Sequence, residues 1–195
     1  MHNNRRHLFT SESVAEGHPD KIADQISDAI LDAFLAEEPA AKVACETFVA
    51  DNLVVIAGEF KTARKELFSE IEGRAEAIAR QVLRDIGYRD TETGIDPNTC
   101  EVQVRFNHQS IQIHKGITLA GGDIGAGDQG LMFGYACDET PDLMPYPVWL
   151  AHRLVKRQAE LRHSGALPFT SSTSKKNPCR WNGWSIRLAL TTSHT

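Results

Sequence analysis

The chain has 195 residues and a formal net charge of −5, with 41% hydrophobic and 24% charged residues. That balance belongs to a soluble globular protein long enough to bury a real core in one or two domains. It argues against a general nucleic-acid or membrane-surface binder, and no run of about 18 apolar residues is present to span a bilayer.

The opening MHNNRRHLF carries positive charge with no apolar run behind it, so it does not read as a signal peptide. Cys45, Cys100, Cys137 and Cys179 are scattered without a C-x-x-C pair. They read as reduced thiols, and the expected location is the cytoplasm.

Apolar residues at 22, 26, 29, 30, 33 and 34 predict an amphipathic helix over Ile22–Leu35. Pro19 suits the first helical turn, where its missing N–H has no partner to lose. Asp20 follows beside free backbone N–H groups and the positive end of the helix dipole. His18 lies just outside and Lys21 just inside, so a histidine, a carboxylate and an amine crowd one helix N-terminus. Such an end favours phosphate, and the carboxylate suits a divalent cation held against it. From the local pattern alone, a helix that simply starts at a Gly-His-Pro turn with a helpful acid is the commoner account, since short motifs match by accident.

After Glu37-Glu38-Pro39, the segments Lys42–Val49 and Leu53–Phe60 are rich in β-branched and aromatic residues and flank Ala50-Asp51-Asn52. They predict a hairpin. Alternation puts Glu46 on one face with Ala44 and Phe48, opposite Cys45, Thr47 and Val49. By spacing alone, Glu46 and Glu59 are solvent-facing residues of a one-sided sheet. Leu67, Ile71, Ala75, Ile78, Ala79, Val82 and Ile86 form a second helical stripe, closed by Gly87. Thr91–Asn98 is turn-rich, and Glu101–Phe106 alternates as a further strand.

Residues 116–134 hold seven of the fourteen glycines, with Asp123 and Asp128 among them. Glycines let a backbone approach a phosphate or nucleoside closely, and a mobile surface loop has the same composition. The stretch has neither a Walker G-K-[ST] nor a G-x-G-x-x-G turn. Val148, Ala151, Leu154, Val155 and Leu161 predict a third helix ending at Ser164-Gly165, its polar face carrying His152, Arg153, Lys156 and Arg157. Residues 170–195 change character: ten Ser/Thr, two of the three tryptophans, and no acid anywhere after Glu160. Periodicity there is limited to a short run at Ser185–Leu190.

Two stretches together carry a resemblance. HLFTSESVAEGHPDKIADQISDAILDA, from His7, and GAGDQGLMFGY, from Gly125, resemble the opening and the GAGDQG signature of the S-adenosylmethionine synthetases (methionine adenosyltransferases). The likeness covers roughly residues 7 to 169. It implies an α+β fold of mixed or antiparallel sheets covered by helices. The implied organisation is an N-terminal domain over 7–109, an active-site loop and glycine-rich signature over 110–130, the start of a central domain over 131–169, and an off-pattern, disordered tail over 170–195.

The implied reaction is attack of the sulfur of L-methionine on C5′ of ATP, followed by cleavage of the triphosphate to phosphate and diphosphate. Carried over residue by residue, His18 is the histidine at the triphosphate and the C5′ oxygen, with a catalytic role. Asp20 becomes a Mg2+ ligand, and Glu46 the glutamate associated with K+. Glu59 and Gln109 match positions that contact methionine. Asp128 lies at the adenosine site, making it ATP-binding with His18. Family members are dimers or tetramers that build each active site across a dimer interface, with no nucleic-acid or membrane partner.

The sequence then departs from the pattern. Relatives continue after a Leu-Pro-aromatic turn with a lysine that binds ATP, whereas this chain reads Phe169-Thr170-Ser171-Ser172. Lys175 and Lys176 stand nearby in the wrong context. The later glycine-rich signature and the triphosphate-gripping cations have no match. The abrupt change predicts a frameshift as its cause and an inactive, truncated synthetase as its outcome. A non-catalytic module docking onto a complete synthetase, and a damaged product with no stable fold, are the other two readings.

Overall fold

A computed structural model describes residues 7–91, 94–109, 131–167 and 185–192, and side chains for all of these except 7, 8 and 185–192. The order of elements is β1 (His7–Val14), α1 (Pro19–Glu37), β2 (Lys42–Ala50), β3 (Leu53–Lys61), α2 (Lys65–Ile86), β4 (Glu101–His108), α3 (Tyr146–His163) and β5 (Ser185–Thr192). Among the described residues, no helix is long and apolar enough to cross a membrane.

β2 and β3 form the predicted hairpin, antiparallel from Lys42↔Lys61 to Ala50↔Leu53. Its turn is tight: Asp51 takes a positive φ of 48°, a conformation aspartate tolerates better than most side chains. The Asn52 side-chain oxygen accepts from the Asp96 N–H at 3.0 Å, and its carbonyl accepts from Glu101 N–H at 2.9 Å. The hairpin turn thereby anchors the start of β4. β4 pairs parallel to β3, and α2 makes the crossover between them. The result is a mixed three-stranded sheet in the order β2-β3-β4, so the fold is α+β with a mixed sheet covered by helices.

Period-2 alternation sends Val54, Ile56, Phe60 and Phe106 to the covered face, all buried. α1 contributes Ile22, Ile26, Ile30 and Phe34, and α2 contributes Leu67, Ile71, Ala75, Ala79 and Leu83. Phe60 lies at the centre, 5.0 Å from the Phe34 ring and 4.2 Å from Phe106 between centroids. α2 ends as predicted at Gly87, whose φ of 106° is strained for any side chain with a Cβ. The Arg80 guanidinium reaches the carbonyls of Pro97 (2.7 Å) and Cys100 (3.0 Å), fastening the loop before β4 to the helix.

The remaining elements form a second, smaller group. β1 and β5 pair antiparallel over eight residues, from His7↔Thr192 to Val14↔Ser185. α3 packs on both strands and buries Ala151 and Val155. β5 falls in the tail beyond 170, at the short Ser185–Leu190 run whose periodicity the sequence shows. Ser185–Thr192 alternates apolar and polar residues, which lets it pair along β1. β1 itself goes unpredicted, since its sequence does not alternate and its partner lies about 180 positions away.

Candidate functional site

His18 is the N-cap of α1, with φ −71° and ψ 141°, and its carbonyl accepts from Ile22 N–H at 2.9 Å. Its Nδ1 accepts from the Asp20 backbone N–H at 3.2 Å, so the imidazole satisfies one of the free donors of the first turn. With Nδ1 accepting, the neutral ring carries its proton on Nε2, a donor suited to a phosphate oxygen. The Asp20 carboxylate stands 3.7 Å from Nδ1 and is 85% exposed. Neither side chain points into the core. One hard oxygen ligand at a helix N-terminus matches how magnesium is held, by one or two carboxylates together with substrate phosphates.

Several contacts hold the turn that presents this pair. The Tyr88 hydroxyl, buried, donates to the Gly17 carbonyl at 2.6 Å. Gln25 Nε2 donates to the Glu16 carbonyl at 3.0 Å. The Glu16 carboxylate meets Arg162 and His163 at the end of α3. On β1, the buried Ser13 hydroxyl bonds His152 Nδ1 at 2.8 Å. Sequence reasoning misses Ser13, Glu16, Tyr88 and His152 because each acts through a partner at least 71 positions away. No local pattern signals such a contact.

The other described site residues lie across the three-stranded sheet. The register sets Glu46 opposite Ala57 and Ala44 opposite Glu59, so both glutamates share one face. α1 covers the opposite face, where the Ser27 hydroxyl bonds that of Thr47 at 2.9 Å. Glu46 and Glu59 are exposed, as are Phe48 (62%) and, on β4, Gln103, Arg105 and Asn107. The face is open and polar, and the register places three acids on it, Glu46, Glu59 and Glu101, and three cations, Lys42 opposite Lys61 at one end and Arg105 directly beside Ala57. As a potassium site it supplies one carboxylate. Among the described residues, no three His, Cys, Asp or Glu side chains gather around one point.

Gln109 follows β4, and its backbone N–H donates to the Phe60 carbonyl at 2.9 Å. Its side-chain Oε1 is buried and has no hydrogen-bond partner among the described residues, a state that costs about 1–3 kcal/mol unless a donor arrives. Asp128 and the glycine-rich stretch lie outside the described residues. On the covered face, burial pushes the Cys45 thiol up to about 11, so it is inert packing. The structure thus separates His18 and Asp20, at the start of α1, from Glu46 and Glu59 on the open side of the sheet. No hydrogen bond or ion pair among the described residues joins the two sets.

A cavity of about 360 Å³ lies between α1 and α2, lined by Glu16, Asp28, Asp32 and Asp85 over Val82 and Ile86. Its carboxylates repel a triphosphate, and none of the predicted site residues lines it.

Comparison with known families gives two matches. The model of the S-adenosylmethionine synthetase N-terminal domain matches residues 6–111, and that of the central domain matches residues 123–177. The second match ends eight positions beyond residue 169, where the resemblance in the sequence fades.

Proposed function

Because this chain belongs to the S-adenosylmethionine synthetase family, we propose that its α1 N-terminus and open sheet face are the parts of a methionine adenosyltransferase site that this chain supplies. The reaction joins ATP, L-methionine and water into S-adenosylmethionine, phosphate and diphosphate. The observation that carries the reading is the His18–Asp20 pair, capped and exposed at a helix start inside the matched segment.

The chemistry asks for alignment and charge stabilisation rather than covalent help. His18 donates from Nε2 to the leaving triphosphate at its C5′ oxygen. With Pro19 lacking an N–H and those of Asp20 and Ile22 taken by His18, the Lys21 backbone N–H is the first-turn donor that would meet a phosphate oxygen, and Asp20 would hold magnesium beside it. Glu59 and Gln109 orient methionine, Asp128 contacts the adenosine, and Glu46 takes part in a potassium site. Magnesium at Asp20 and potassium at Glu46 would supply positive charge where negative charge builds on the leaving oxygens. In this reading a second chain completes the site, because His18 with Asp20 and Glu46 with Glu59 lie apart in one chain.

The same charge argument bears on the 195-residue chain by itself. A departing triphosphate concentrates several negative charges, and His18 with one metal ligand does not neutralise them. The proposal is therefore that this chain alone does not make S-adenosylmethionine, and that its tail arises from a shifted reading frame. Methionine-dependent phosphate release from ATP by the purified chain, free of any complete synthetase, tests the first point. Release well above that of an Asp20→Asn control overturns it. The DNA after codon 169, read in all frames, tests the second.

One observation favours a second reading, a non-catalytic module docking onto a complete synthetase. Leu131, Met132, Phe133 and Tyr135 are 82%, 92%, 91% and 79% exposed, more bare apolar surface in one run than a self-contained domain leaves. Co-purification with a complete synthetase that does not alter its turnover supports this reading over the first.

A further inference from the structure

β5 lies beyond both family matches, which end at residue 177, yet it pairs with all eight residues of β1, which lies inside the N-terminal match. We propose that β1 is a strand-accepting edge and that residues 185–192 of this same chain are its resident occupant, held by β-augmentation and exchangeable for another extended segment of the same pattern.

Three observations support this. First, the pairing runs the full length of both strands, so its ladder satisfies the β1 backbone groups on that side. A bare edge of that length would be a template for pairing with other chains. Second, the alternation of Ser185–Thr192 fits its register. Ile186, Leu188 and Leu190 stand opposite Ser13, Ser11 and Phe9, while Arg187, Ala189 and Thr191 stand opposite Glu12, Thr10 and Leu8. Positions directly opposite share a face, and Ser13 is on the face toward α3, where it bonds His152. The apolar positions of β5 therefore fall on the α3-covered side, and a one-residue slip would reverse that. Third, α3 packs along both strands and is fastened at two places on the β1 side, by Ser13–His152 and by Glu16, just after β1, with Arg162 and His163. The seat for the incoming strand is built from residues outside it. In recognition of this kind, backbone bonds give affinity and alternate side chains give selectivity.

Hydrogen exchange on the full chain tests the proposal. Amides of β1 should exchange roughly tenfold or more slowly than unstructured amides. Leu188→Pro with Ala189→Pro removes two neighbouring N–H groups, one of which faces β1, and should abolish that protection while α2 amides stay protected. A synthetic SIRLALTT peptide in excess should restore it, and a shuffled peptide without the alternation should not. As an independent check that leaves the ladder intact, Thr10→Cys with Ala189→Cys should cross-link on oxidation, and Thr10→Cys with Ile186→Cys should not. Unprotected β1 amides in the unaltered chain, equal cross-linking of the two cysteine pairs, or equal rescue by the shuffled peptide overturns the proposal.

Discussion

The two parts of this molecule place most of their aromatic residues differently, with Phe48 on the open sheet face the exception in the first. In the α1–α2 layer and its sheet, Phe34, Phe60, Phe68 and Phe106 stack on one another out of water. In the segment before α3, Phe133 is 91% exposed and Tyr135 79%, in a run with no strand or helix of its own. Both parts fall within family matches. Membership therefore does not make a segment self-covering. The first part closes one face of its sheet with its own helices, and its open face is largely polar. The second leaves apolar surface that another segment must cover.

The largest test of that contrast is a pair of truncations of the same residue type. Phe60→Ala should cost about 3–5 kcal/mol in denaturant unfolding, since the ring is fully buried among three others. Phe133→Ala should stay within about ±0.5 kcal/mol, as exposed substitutions do. Comparable losses at the two sites would mean that Phe133 is covered in solution, and the contrast would break.

Next in size is Gly58→Ala. A Cβ built at Gly58 would lie 2.1 Å from the Ala44 carbonyl oxygen, a backbone atom that cannot swing aside. β2 and β3 would have to separate, at a cost of about 1–3 kcal/mol or more by the usual penalty for overpacking. The change lies next to Glu59 and opposite Cys45, so it should also disturb the open face that carries the two glutamates. Unfolding free energy and the chemical shifts of β2 amides report the two effects separately. An unchanged sheet with unchanged stability would mean that the hairpin is looser than the structure shows.

Much of this architecture was legible. Both helical stripes, the hairpin with its turn, the Gly87 cap and the alternation of β4 are local patterns whose period states the buried face. The grouping of His18 and Asp20 at one helix start was legible for the same reason. Glu46 and Glu59 looked like plain solvent-facing residues, and by exposure that is what they are. Only their match to a family distinguished them. β1 and its partner were not legible as a pair, because β1 does not alternate and pairing at such sequence distance leaves no local trace. The contacts of Glu16, Tyr88 and His152 were hidden for the same reason.

Tyr88→Phe comes third, and it probes the link from the core to the site. The hydroxyl's bond to the Gly17 carbonyl is buried and short, and burial pushes its ionisation far above the usual tyrosine range. Removing it leaves the carbonyl without that donor, at a cost of about 1–1.5 kcal/mol. Gly17 precedes the His18 cap, so the exchange of the first α1 amides should quicken more than that of β3. Uniform quickening would show that the turn is held by its other contacts and that Tyr88 acts on global stability alone.

The smallest expected change has the opposite sign. Gly73 lies in the middle of α2 on its exposed side, and a Cβ there meets nothing within 4 Å. Its backbone is helical, so alanine fits without strain and lowers the entropy of the unfolded chain. The expected gain is about 0.4–1 kcal/mol, or ~2–4 °C in Tm per kcal/mol for a chain of this size. The sign decides something about surfaces. If partners meet this molecule only at the open sheet face and the 131–135 run, Gly73→Ala should raise stability and leave any self-association unchanged. A small residue on a helix is also what close approach by a partner requires. A variant that gains stability yet loses self-association in sedimentation would place an interface on the outer side of α2, and the first part of the molecule would then not be free there either.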